Sequence, residues 1–140
     1  MYEKFGQFID GKWQASSNKE TYEVINPANE EVIGLASKAT PEDVDRALKS
    51  AEKGLEVWKK TSPWKRSSVI RKIADLIRAK QDVLAKWITL EVGKPFLEGK
   101  GEVGATADIF EWNSEETKRI YGQTVESRFE DTRIHVYYQP

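Results

Sequence analysis

Gly99-Lys100-Gly101-Glu102-Val103-Gly104 is the stretch on which the fold turns. It matches G-x-G-x-x-G, a pattern that cradles a dinucleotide pyrophosphate only where a strand runs into a helix, so that backbone donors and the helix N-terminus meet the anion. No strand precedes it. Leu84, Trp87, Ile88 and Leu90 recur at helical spacing, Gly93 is placed to end that helix in the left-handed conformation, and Pro95 follows shortly after. The stretch therefore reads as the opening of a further helix, from Pro95 to about Tyr121, ended by Gly122. Gly99, Gly101 and Gly104 inside it each cost ~1 kcal/mol relative to alanine. Close approach of another element to the glycine face would offset that cost, so packing is the better account of these glycines than phosphate binding.

Upstream, two more helices announce themselves by their starts. Ser62-Pro63 opens one that carries Val69, Ile70, Ile73, Ala74 and Ile77 on one side. Thr40-Pro41-Glu42-Asp43 opens the other with an N-cap hydroxyl, a proline at the first helical position and an acidic residue three after the cap. Val44, Ala47, Leu48, Ala51, Leu55 and Trp58 then form an apolar stripe. Before the helices the chain reads as strands. Phe5 to Ile9 and Lys12 to Gln14 flank Asp10-Gly11, a dipeptide that takes the positive φ of a two-residue turn. Tyr22 to Ile25 and Glu31 to Leu35 flank Asn26-Pro27-Ala28-Asn29, where proline cannot continue a ladder.

Downstream of Gly122 a polar loop leads to a last strand, Thr132 to Gln139. Ile134, Val136 and Tyr138 alternate there with Arg133, His135 and Tyr137 and give it one apolar face. With no hairpin partner after it, this strand is expected to pair outside its own neighbourhood. The order is strands, then helices, then one strand, without the alternation of βαβ units. The fold class is α/β: short antiparallel hairpins, about four packed helices and a terminal strand. The helical stripes exceed what these strands cover, a hint of missing partner structure.

The chain has 140 residues, one domain's length, with a formal net charge of -1. No long-range field draws it to nucleic acid or an anionic membrane. Its apolar runs fall far short of a membrane span, and Met1 to Phe5 lacks the apolar core of a secretory signal. With zero cysteines there is no disulfide, thiolate–metal site or thiol nucleophile. A cytoplasmic protein is expected.

Other candidate chemistry weighs towards structure. Trp58-Lys59-Lys60 and Trp64-Lys65-Arg66 interleave aromatics with cations, as single-strand binders do, but Trp58 completes an apolar stripe and the overall charge balance is wrong. His135 is the only histidine, too few for zinc without cysteine and with no nucleophile beside it; an exposed strand residue is expected. Glu111, Glu115 and Glu116 could do acid–base work, yet Lys118 and Arg119 follow at ion-pairing spacing, so a charged face is expected.

Taken in order, several of these pieces resemble an aldehyde dehydrogenase. They are Phe8-Ile9-Asp10-Gly11-Lys12-Trp13, Ile25-Asn26-Pro27-Ala28-Asn29, Ala39-Thr40-Pro41-Glu42-Asp43-Val44, Trp58, the Ser67 to Ile77 helix, Leu90-Glu91-Val92-Gly93-Lys94-Pro95, Gly101-Glu102-Val103, Glu111-Trp112 and Glu115 to Gly122. The resemblance is to the amino-terminal part of an NAD(P)-dependent oxidoreductase that turns an aldehyde into a carboxylate. In that family a cysteine thiolate attacks the aldehyde, a hydride passes to NAD or NADP, and a glutamate activates the water that releases the acid; backbone and asparagine donors hold the oxyanion.

The resemblance implies that residues 1–140 are the amino-terminal segment of the cofactor-binding domain, with 132–140 starting a strand that enters an oligomerisation sheet and the catalytic domain absent. The nucleophile, the base and the main cofactor site then lie outside this chain, so no catalytic or cofactor-binding residue is assigned to it. The chain alone is expected to be inactive and to bind no cofactor. Ala105 and Ile109, with Glu102, occupy positions of the aldehyde tunnel wall. Ile25 and Glu91 match positions whose backbone carbonyls bind a monovalent cation, the third ligand coming from later sequence. The implied partners are a small aldehyde and a second copy joined through the 132–138 strand, not nucleic acid or membrane. The stretch from Trp112 to Gly122 resembles enzymes of small polar aldehydes such as succinic semialdehyde. The competing possibility is a non-catalytic interaction or oligomerisation domain that reuses the fold.

Overall fold

The computed structural model describes residues 6–139. Phe5, expected to begin the first strand, and Pro140 lie outside the described residues. Among the described residues the chain forms three two-stranded antiparallel ribbons and four helices. β1 (Gln7–Ile9) pairs with β2 (Lys12–Gln14) in the register Phe8↔Trp13. Asp10 and Gly11 between them take φ of 54° and 74°, the two positive values of the expected turn. β3 (Thr21–Ile25) pairs with β4 (Val32–Ser37), and the register shifts between Val24 and Ile25. The Asn26 side chain folds this second turn: its Oδ1 accepts from Ala28 N at 3.0 Å while its carbonyl accepts from Glu30 N at 2.8 Å.

The helices are α1 (Pro41–Trp58), α2 (Pro63–Ala79), α3 (Gln81–Val92) and α4 (Phe96–Glu116), the last continued by a 3-10 turn at Thr117–Arg119. Thr40 and Asp43 close a reciprocal capping box on α1. Ser62 accepts from Lys65 N at the start of α2. Gly93 ends α3 with φ 76°. The Gly99–Gly104 stretch lies wholly within α4 and is preceded by a helix, so the dinucleotide fingerprint is excluded.

α2, α3 and α4 pack on one another. The residues they bury are mostly small: Ser67 and Ala74 from α2, Ala85 from α3, and Gly99, Val103, Ala107 and Ser114 from α4. Small side chains let helix axes come close. At Gly99 an added Cβ would stand 3.2 Å from the Ala85 carbonyl oxygen and 3.4 Å from Ile88 Cγ2. The expected close approach is thus real at Gly99. It is slight at Gly104, where only the end of Gln81 lies within reach at 3.3 Å, and does not occur at Gly101, which faces open space. The buried Ser114 hydroxyl donates to the Glu111 carbonyl at 2.6 Å and leaves no orphan donor.

Two of the expected stripes are covered only in part. On α2 Ser67 and Ala74 are buried and Ile70 and Ile77 half-buried, whereas Val69 and Ile73, at the edge of the same apolar side, are exposed. On α1, Val44 is 51% and Leu48 60% exposed, and Leu55 and Trp58 are also uncovered. This stripe is amphipathic as read, but α1 meets β1 rather than entering the three-helix packing.

The terminal strand is corrected. β6 (Arg133–Val136) pairs with a local partner, β5 (Gln123–Glu126), from the segment read as a polar loop. Gly122 permits it: a Cβ there would lie 2.2 Å from the Val136 carbonyl oxygen. Val125 and Ile134 face each other on one side, Thr124 and His135 on the other. Among the described residues β6 has no second neighbour.

Candidate functional site

The face of α4 opposite its buried stripe carries the positions with a chemical assignment. Ala105, Ile109 and Trp112 follow one another at i, i+4 and i+7 and share that face. Ile109 is 62% and Trp112 70% exposed. Small and apolar residues on an exposed helix face make a wall, not a reactive centre. Glu102 stands at its beginning in an ion pair with Lys94. The structure brings Ala105 and Ile109 together with Trp112, whose place on the same face sequence reading had not drawn out.

Beside Trp112 a groove of about 460 Å³ is lined by Asp108, Glu111, Glu115, Glu116 and Arg119. Its carboxylates are engaged. Arg71 of α2 meets Glu111 at 2.9 Å, and Arg78 bridges Asp108 and Glu111 at 2.7 and 2.5 Å. Those two acids in turn raise the Arg78 pKa. Lys118 pairs with Glu115 at 2.9 Å and holds its carboxyl below the usual range, while Arg119 pairs with Glu116 at 3.0 Å. The expected charged face is found, with one difference: the partners of Glu111 come from α2. With its carboxyl held low by Lys118, Glu115 is a poor proton acceptor at neutral pH.

Lys118 also stands over the Trp64 ring, 5.2 Å from its centroid, and Trp64 is 74% exposed. Trp58 and Trp64 are surface residues here, not core. His135 is exposed on β6, where its Nδ1 lies 3.1 Å from Thr124 Oγ1.

Ile25 and Glu91 each lie two residues from a contact between the turn after β3 and the end of α3. Ile25 ends β3 at the register shift, and two residues later Pro27 Cγ lies 3.1 Å from where a Gly93 Cβ would be. Glu91 is two residues before Gly93, in the last turn of α3, whose dipole favours positive charge. Among the described residues no cluster of three or more histidine, cysteine, aspartate or glutamate side chains is placed to hold a metal ion. A cation here would depend on backbone oxygens.

The most heavily bonded side chain lies elsewhere. Asp43 is 1% exposed. It accepts from Ser17 N at 3.1 Å, Ser17 Oγ at 2.5 Å, Thr40 N at 3.0 Å, Gln7 Nε2 at 3.2 Å and Arg46 Nη2 at 2.5 Å. The Ser17 hydroxyl, the Thr40 N–H and then the Ser17 N–H and Arg46 hold its carboxyl far below the usual range. Sequence reading had recognised only its cap role, because the other donors lie up to 36 residues away.

Residues 13–140 match the aldehyde dehydrogenase family. The chain belongs to that family. It is 40% identical over 133 residues to a glutarate-semialdehyde dehydrogenase of Pseudomonas aeruginosa, covering 95% of this chain and 28% of that protein. With the NADP(+) succinate-semialdehyde dehydrogenase of Escherichia coli it shares 37% over 132 residues, 94% of this chain and 27% of the relative. Among aldehyde dehydrogenase structures, a betaine aldehyde dehydrogenase of Staphylococcus aureus solved with NAD+ superposes with a TM-score of 0.86 at 32% identity, over 93% of this chain and 27% of that one. The chain matches the amino-terminal part of such structures and spans about a quarter of their length. No helix among the described residues is long and apolar enough to cross a membrane.

Proposed function

We propose that this chain is the opening segment of the cofactor-binding domain of an NAD(P)-dependent aldehyde dehydrogenase that oxidises a small polar semialdehyde, of the succinic or glutaric kind, to the dicarboxylate. The observation that carries the reading is the family match over residues 13–140, together with relatives named for those two semialdehydes at about 40% identity. In the complete enzyme, Ala105 and Ile109 would wall the aldehyde's path, with Glu102 at its edge. The Ile25 and Glu91 carbonyls would hold a monovalent cation with a third ligand from elsewhere. Residues 132–138 would start the sheet through which subunits associate, by the edge of β6 that β5 leaves open.

With no cysteine among its 140 residues the chain has no thiolate to attack an aldehyde. Mixed with succinic or glutaric semialdehyde and either NAD or NADP, the purified chain is expected to form no reduced cofactor; turnover would overturn this part of the reading. The larger part is tested by reading the gene past the codon for Pro140. An open frame that reaches a cysteine-containing segment supports an enzyme, whereas a stop codon there supports the interaction domain.

A further inference from the structure

Between the β1–β2 hairpin and α1 runs a groove of about 400 Å³, lined on the hairpin side by Asp10 and Lys12 and on the helix side by Arg46, Lys49, Ser50 and Lys53. The helical spacing of 46, 49, 50 and 53 puts all of them on one side of α1. Four of these lining groups are cations and one, Asp10, is an acid.

The lysines are not there as halves of ion pairs. Lys49 has Asp45 four residues before it and Glu52 three after, and Lys53 has Glu56 three after, all at pairing distance along a helix. None of those pairs forms. Glu56 turns instead to Lys59 and Lys60. Among the described residues Lys12, Lys49 and Lys53 have no ion-pair partner. Arg46 differs, because Asp43 Oδ1 at 2.5 Å and Gln14 Oε1 at 3.2 Å hold its guanidinium as a fixed wall of the groove. The Ser50 hydroxyl makes only a long bond to Asp10 Oδ1, 3.4 Å, which a better acceptor would displace.

We propose that this groove binds a compact multivalent anion of the pyrophosphate or bisphosphate kind, held by Lys12, Lys49 and Lys53 with Ser50 donating to one of its oxygens. Three ammonium groups with no ion-pair partner among the described residues share the groove with one carboxylate, Asp10, and an anion of several charges meets that excess of positive charge better than a second single carboxylate would. Ammonium groups on flexible stems act as point charges and suit phosphate oxygens without requiring a planar partner. The volume falls within the roughly 300–1,000 Å³ of small-ligand sites. Nucleic acid is disfavoured, because the lining has no aromatic ring on which a base could stack and the whole chain carries a net charge of -1. The site is separate from the α4 face and does not depend on aldehyde chemistry.

Inorganic pyrophosphate titrated into the isotopically labelled full chain tests this. Saturable amide shifts are expected at Lys12, Ser50 and Lys53, weakening as salt is raised. Lys49→Ala with Lys53→Ala should raise Kd about tenfold. Lys65→Ala with Lys72→Ala, which removes the same charge from α2, should leave Kd unchanged. Should the alanine pair disturb the fold, as judged by circular dichroism, Lys49→Gln with Lys53→Gln must show the same loss and Lys49→Arg with Lys53→Arg must retain binding. Shifts that never saturate, that spread over lysines throughout the chain, or that weaken equally in the α2 variant would overturn the proposal.

Discussion

The three-helix unit α2–α4 and the unit formed by α1 with the β1–β2 hairpin are held together by different physics. In the first, Ala74, Ala85, Gly99, Val103 and Ala107 meet with almost no exposed surface among them, and their small size brings the helices close. In the second, the apolar stripe of α1 is uncovered, and the hairpin and the segment after it are tied to the helix by three donors, Gln7 Nε2, Ser17 N and Ser17 Oγ, on the Asp43 carboxylate, which Thr40 N and Arg46 of the helix also reach. Close packing of small residues is most sensitive to added bulk; a buried carboxylate is most sensitive to loss of its charge or its donors. Each kind of substitution should therefore damage one unit and spare the other.

The largest effect is expected from Asp43→Ala, which leaves the Ser17 and Thr40 N–H groups without their acceptor. Hydrogen exchange should show loss of protection in β1, β2 and the first turn of α1, while amides of α2–α4 keep theirs. Equal loss in both units would remove the distinction. The same carboxylate gives a pH signature. Its folded pKa lies below the usual 3.8, so its stabilisation is present above that pH and is lost as the pH falls below it towards the folded value. Asp43→Asn should be less stable at neutral pH yet show a shallower acid decline in melting temperature than the parent chain.

Gly99→Leu comes next. Overpacking against the Ala85 carbonyl and Ile88 should cost about 1–3 kcal/mol in a denaturant titration, with exchange in β1 and β2 unaffected. Gly101→Ala should act in the opposite direction. Its Cβ meets nothing, so the helix gains about 0.4–1 kcal/mol from reduced freedom of the unfolded chain. A loss there would mean that the exposed side of α4 is covered in solution. The smallest change belongs to Gly104→Ala, where a helix-propensity gain of about 1 kcal/mol is set against disturbance of the Gln81 bond to the Lys100 carbonyl. Its melting temperature should move by no more than a few degrees.

How much was legible differs between these same units. Thr40, Asp43, Ser62, Gly93 and Asp10-Gly11 act on backbone within a few residues of themselves, and every turn and helix start they mark is where they indicate. The local pair β5–β6 was missed because Gln123–Glu126 is mostly polar, and its decisive feature, the absence of a Cβ at Gly122 against the Val136 carbonyl, is a contact across a ribbon. The α4 face carrying Ala105, Ile109 and Trp112 was legible only in part. Spacing aligns these residues, but a buried and an exposed apolar stripe look alike in sequence.

The sequence by itself determined the order and type of nearly all the elements, the reading of Gly99–Gly104 as helix in preference to a dinucleotide loop, the family resemblance and the absence of a thiol nucleophile. All of these depend on residue identity and on interactions between near neighbours in the chain. Only the tertiary structure decided which of the glycines meets a neighbour, which apolar stripe is core, that Glu111 is held by arginines from α2, and that Asp43 gathers donors from three separate segments. Those outcomes depend on distances between residues far apart in sequence. Whether a methyl group fits or a carboxylate is satisfied is set by atoms a few ångströms away, and no local pattern records where those atoms will be.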